Sequence, residues 1–94
     1  MKKSQFKTGV QFTSNTITSS KVYTVACNYN DKEKKPSRVE TKLITSNGLE
    51  INDNQYVFEK ITDNYLYLYD FVISEKISIK IPLKNIKLIN NKTI

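Results

Sequence analysis

From position 38 onward the chain alternates. Val39, Thr41 and Leu43 interleave with Arg38, Glu40 and Lys42, and Ile77, Ile79 and Ile81 interleave with Lys76, Ser78 and Lys80. Successive side chains of a strand point to opposite faces, so a period of two predicts half-buried strands. The same reading predicts strands over 6–13, 21–27, 38–45, 55–61, 65–73, 76–81 and 86–90, with a short return over 49–51. No segment shows the three-to-four residue repeat of an amphipathic helix.

Turn chemistry divides these runs. Asn47-Gly48 is a hairpin signal, since both residues accept positive φ. Asn52-Asp53-Asn54 reads as a second turn, Thr62-Asp63-Asn64 as a third and Ser74-Glu75 as a fourth. The Ser/Thr-rich stretch 13–20 reads as a loop or loose edge. Residues 28–37, with four consecutive charged side chains before Pro36, read as a solvated loop. Pro82 ends the isoleucine strand, one tight turn follows at Leu83-Lys84-Asn85, and a short strand closes the chain.

Short strands with tight turns predict an all-β fold with little or no helix, an antiparallel meander that closes into a small barrel. The ending (strand, Pro82, one turn, short strand) resembles SH3-like barrels. Pleckstrin-homology-like barrels share the meander but close with a C-terminal helix that this pattern lacks. The resemblance covers the last third of the chain, concerns fold alone and implies no function. The expected organisation is one domain over 1–94, with 1–20 as a loosely attached strand or arm.

Composition strengthens the strand reading. Eleven Ile, six Val and nine Thr stand against one Ala in 94 residues, and β-branched side chains suit a pleated sheet. Lys, Asn and Ile make up 35 residues; their codons are A/T-rich, which points to a low-GC bacterium or a mobile element. Catalytic chemistry is sparse. There is no His, the commonest general base and metal ligand, and the single Cys27 lies in a strand as a small hydrophobe. Gly9 and Gly48 are too far apart for a phosphate loop. We therefore expect no enzyme activity, no catalytic residues, no metal and no cofactor. Ser4-Gln5-Phe6-Lys7 follows Met1-Lys2-Lys3 where a secretory signal would be apolar, and no run is long enough to span a membrane. A cytoplasmic protein without membrane contact is the expectation.

Charge is unevenly distributed along the chain. Residues 1–47 hold nine basic and three acidic side chains, residues 48–75 one and six, and residues 76–94 five and none. Two candidate sites follow. The run Tyr65-Leu66-Tyr67-Leu68-Tyr69-Asp70-Phe71 places its leucines on one face, matched to the isoleucines of the next strand, and its tyrosines on the other. Tyr65, Tyr67 and Tyr69, with Asp63 and Glu75 beside them, form a candidate protein-binding patch, because Tyr gives large contact area at low entropic cost. The competing reading is a second small core beneath a loop or the N-terminal segment. Asp70 falls on the leucine face, and a β-bulge near Tyr69 or Asp70 would return it to solvent.

The second site, for nucleic acid or an acidic partner, is Lys32, Lys34, Lys35 and Arg38 with the C-terminal lysines. Two features weigh against it. Only one basic residue is Arg, and the aromatic run lies in the acidic middle, whereas a stacking platform needs lysines beside its rings. The leading expectation is therefore a protein-binding barrel, an accessory protein of a phage or mobile element that inhibits a host defence protein. Nucleic-acid binding is the alternative, and a homo-oligomer built on the tyrosine strand is a third.

Overall fold

A computed structural model describes residues 1–14, 21–72 and 75–89. Residues 15–20 of the Ser/Thr-rich stretch, residues 73 and 74 and the C-terminal residues 90–94 lie outside the described residues, as do the side chains of Phe71 and Val72.

Seven antiparallel strands form one curled sheet, a half-barrel: β1 (Gln11–Ser14), β2 (Lys21–Cys27), β3 (Pro36–Ile44), β4 (Glu50–Ile61), β5 (Tyr65–Val72), β6 (Glu75–Pro82) and β7 (Ile86–Leu88), in the order β6-β5-β4-β3-β2-β1-β7. β1 to β6 are a meander. The 3-10 turn Leu83–Asn85 then carries the chain from β6 on one border of the sheet to β7 on the other. The ending read from the sequence is present: a strand to Pro82, one 3-10 turn and a short strand.

The core lies on the inner face of the curl. Phe12, Tyr23, Val39, Leu66, Leu68 and Ile81 are fully buried, with Val25, Tyr56, Leu83 and Ile86 close behind. Phe12 and Tyr23 stack nearly parallel, their ring centroids 5.0 Å apart. Residues 1–10 cover one end of the barrel. The 3-10 turn Lys3–Gln5 leads to Phe6, which is buried and stacks on Phe58 at 5.0 Å. At that end the Leu83 N–H donates to the Asn64 carbonyl at 2.9 Å, tying the 3-10 turn to the β4–β5 turn.

The strand expected over 6–13 is shorter than the pattern suggested. Gly9 turns the chain at φ +95, a left-handed conformation that favours glycine, and regular pairing begins only at Gln11.

β4 corrects a second expectation. Asn52-Asp53-Asn54 does not turn: one twelve-residue strand runs from Glu50 to Ile61. The β3–β4 register shifts between Glu40 and Lys42, where β4 holds an extra residue. The Thr41 side chain, 2% exposed, fills that irregularity. Its hydroxyl accepts from the Asn54 N–H at 2.8 Å and donates to the Asn54 carbonyl at 2.9 Å. Polar residues that would break a regular ladder are thus accommodated by a bulge.

The bulge expected near Tyr69 or Asp70 is also absent. The β5–β6 ladder runs unbroken from Tyr65 opposite Pro82 to Val72 opposite Glu75. Asp70 therefore stays on the leucine side, half-buried, and accepts a hydrogen bond from the Asn54 side-chain amide at 3.0 Å. It lies toward the open end of the curl, where Ile77, its partner across the ladder, is 44% exposed. A charged group is tolerated there because water reaches it.

Candidate functional site: the outer face of β4, β5 and β6

Alternation on β5 separates two chemistries. Leu66 and Leu68 point inward and are fully buried; Tyr65, Tyr67 and Tyr69 point outward and are half-exposed. The isoleucines of β6 share the leucine face, so the residues between them share the tyrosine face. The ladder sets Lys80 opposite Tyr67, and Ser78 opposite Tyr69. Lys60 of β4 pairs with Tyr67 from the other side, just past a register shift between Phe58 and Lys60.

Lysine ammonium groups consequently lie over the rings. Lys80 Nζ is 4.1 Å from the Tyr65 centroid and 5.8 Å from that of Tyr67. Lys76 is 4.3 Å from Tyr69, and Lys60 is 4.8 Å from Tyr67. Tyr65 and Tyr67 are tilted neighbours, 6.2 Å between centroids. Each ammonium meets the negative face of a ring, an attraction of about 0.5–1 kcal/mol at an exposed site. What covers the tyrosines is lysine stems from adjacent strands.

The sequence objection to a stacking platform fails on this point. Segment by segment, the tyrosines lie among acids; face by face, they lie among lysines. Four of the six acids of 48–75 lie away from the rings, while Glu59 stands beside Lys60 at the register shift in β4. Asp53 forms an ion pair with Lys21 at 3.0 Å, on the core side of β2. Asp70 is held by Asn54. Asp63 is in the β4–β5 turn and Glu75 begins β6, so the two acids proposed beside the tyrosines sit at opposite ends of β5. Lys60, not singled out from the sequence, belongs to the face, whereas Lys76 and Lys80 come from the group of C-terminal lysines.

The basic loop forms a separate feature. Lys32, Lys34 and Lys35 are exposed, and Tyr29 is fully exposed. The Asp31 carboxylate accepts from the backbone N–H groups of Glu33 and Lys35 at 2.9 and 3.1 Å and so shapes the loop. Lys34 takes a left-handed φ of 56, and its carbonyl accepts from the Thr8 hydroxyl at 2.6 Å. Lys35 pairs with Glu33 at 2.7 Å, while Arg38 donates to Glu40 at 3.3 Å and to the Cys27 carbonyl. Arg38 is therefore committed within the sheet and is not part of the exposed loop surface.

One polar group inside the barrel is unmatched. The Tyr23 hydroxyl has no hydrogen-bond partner among the described residues. Burial, reinforced by nearby Tyr56 and Asp53, pushes its pKa up to about 12. Among the described residues no group of three or more Cys, Asp or Glu side chains is placed to hold a metal ion. No helix among them is long and apolar enough to cross a membrane. Compared with known proteins, the chain matches no family model, no curated protein and no solved structure.

Proposed function

We propose that the protein works by binding rather than catalysis, and that the outer face of β4, β5 and β6 takes single-stranded nucleic acid. The observation that carries this is the row of Tyr65, Tyr67 and Tyr69 with Lys60, Lys76 and Lys80 over the rings. Every base has a π face, so a row of rings accepts bases without regard to their sequence once the flexible lysine side chains swing off the ring faces. The displaced ammonium groups then take the phosphates. Lys is depleted in the cores of protein–protein interfaces, which weighs against a protein partner here. The net charge of +6 adds long-range attraction for a polyanion. With one Arg in the chain, little base-specific readout is expected.

Fluorescence anisotropy with labelled oligothymidylate tests the reading, using the matching duplex and a polyglutamate as competitors. Binding should weaken with salt, and the duplex should compete poorly because its bases are stacked away. Equal competition by duplex and polyglutamate would leave only a generic polyanion surface and contradict the proposal.

A second reading, the protein-binding accessory factor that inhibits a host defence protein, has its own support. Leu49 and Ile51, in the β3–β4 hairpin, are 63% and 51% exposed. Two large exposed aliphatic side chains on one hairpin suit an anchor for a protein partner. The A/T-rich coding bias supports a phage or mobile-element source for either reading. The free, half-buried Cys27 thiol suits a reducing cytoplasm. Self-association through the tyrosine strand belongs to the same reading, and light scattering across a concentration series tests it.

A further inference from the structure

Three shallow grooves run around the end of the barrel that residues 1–10 cover, and each shares residues with the next. The first, about 390 Å³, begins at Tyr65 and Pro82, the last rung of the tyrosine face, and passes Lys84 to Met1 and Asp63. The second, about 740 Å³, shares Met1 and Asp63 and continues past Lys2 and Lys3 to Phe6 and Lys7. The third, about 370 Å³, shares Phe6 and Lys7 and ends against Lys34, Lys35 and Pro36 of the basic loop.

Charge along this path is predominantly positive. Six lysines line it: Lys84, Lys2, Lys3, Lys7, Lys34 and Lys35. The acids on it are Asp63 and Glu33, and Glu33 is already paired with Lys35 at 2.7 Å. The two surfaces that the sequence offered as rivals, the tyrosine strand and the basic loop, are therefore the two ends of one basic track.

We propose that a bound single strand does not stop at the tyrosine face but continues past Tyr65 along this track to the basic loop. The proposal rests on the nucleic-acid reading above and extends it. Bases stack on β5, and the path beyond Tyr65 contributes mainly phosphate contacts, since its lining is lysine with few rings. Affinity must then grow with strand length after the face is full, and that extra affinity must be electrostatic. Each phosphate neutralised on a single strand adds about 0.7 to the slope of log affinity against log salt.

Oligothymidylates of about 4 and about 16 nucleotides, lengths that bracket common single-strand site sizes, separate the two claims. The wild-type chain is compared with a Lys7→Gln/Lys34→Gln double variant and with Tyr67→Ala. Both lysines are exposed, so the double variant keeps the fold. The expected result is a salt slope lower by about 1.4 for the long oligonucleotide on the double variant, with the short one unchanged. Tyr67→Ala should weaken both lengths. Identical slopes for the double variant and the wild type on the long strand would overturn the track while leaving the face intact. Absence of binding at both lengths to the wild-type chain would overturn the face and the track together.

Discussion

The two faces of β5 do opposite work. Inward, Leu66 and Leu68 are wholly removed from water, and each contributes about 1.5–3 kcal/mol by burial. Outward, Tyr65, Tyr67 and Tyr69 keep their rings half-exposed beneath lysines that add about 0.5–1 kcal/mol per contact. The inner face belongs to the core. The outer face adds little to folding and offers an extended aromatic and cationic surface. A period-two strand thus lets stability and contact be tuned at alternate positions.

Substitutions on either side should separate these roles, and the largest effect belongs to the inner face. Leu68→Ala should lower the unfolding free energy by about 2–5 kcal/mol in urea titrations, with oligonucleotide affinity of the folded fraction unchanged. Tyr67→Ala reverses the pattern. It should cost about 1–3 kcal/mol of binding, the worth of one stacked base, and shift the urea midpoint far less than Leu68→Ala does. Equal destabilisation by the two would mean that the tyrosines form a second core, the competing reading of that run.

The inner face also carries one polar flaw. Tyr23→Phe removes a buried hydroxyl without a described partner and should raise stability by about 1 kcal/mol at neutral pH. Inside the fold Tyr23 ionises only near 12, against 10.0 for the ordinary side chain. Its neutral form contributes full stability below pH 10, and that contribution is lost as pH rises toward 12. Urea titrations across that window should show the alkaline loss in the wild type and a smaller one in Tyr23→Phe. The smallest effect belongs to Lys80→Gln. It should lower the salt slope of binding by about 0.7 through one lost phosphate contact, while the lost ring contact, about 0.5–1 kcal/mol, falls on stability.

Much of this architecture was legible in the sequence, because alternation and turn residues are local signals. β2 occupies 21–27 as read, the leucine and tyrosine faces of β5 are as assigned, and the 3-10 turn after Pro82 is where one tight turn was expected. Asn52-Asp53-Asn54 misled, since what keeps those residues in a strand is Thr41, a cross-strand hydroxyl that no local rule supplies. The lysines over the tyrosines were also missed, although a signal existed. Once the isoleucines of 76–81 are matched to the leucines of 65–69, Lys76 and Lys80 must share the tyrosine face. Summing charge by segment hid this, because strand chemistry sorts by alternate residue. Lys60 carried no such signal, since its place beside Tyr67 depends on the register shift in β4.

The central claim is that contact belongs to the outer face of β5 and its flanking lysines. Amide and side-chain chemical-shift mapping during titration with oligothymidylate tests it most directly. The account expects the largest shifts at Tyr65, Tyr67, Tyr69, Lys60, Lys76 and Lys80, with Leu49 and Ile51 unmoved. Shifts centred on the Leu49–Ile51 hairpin, or none along β5 at saturating oligonucleotide, would contradict it.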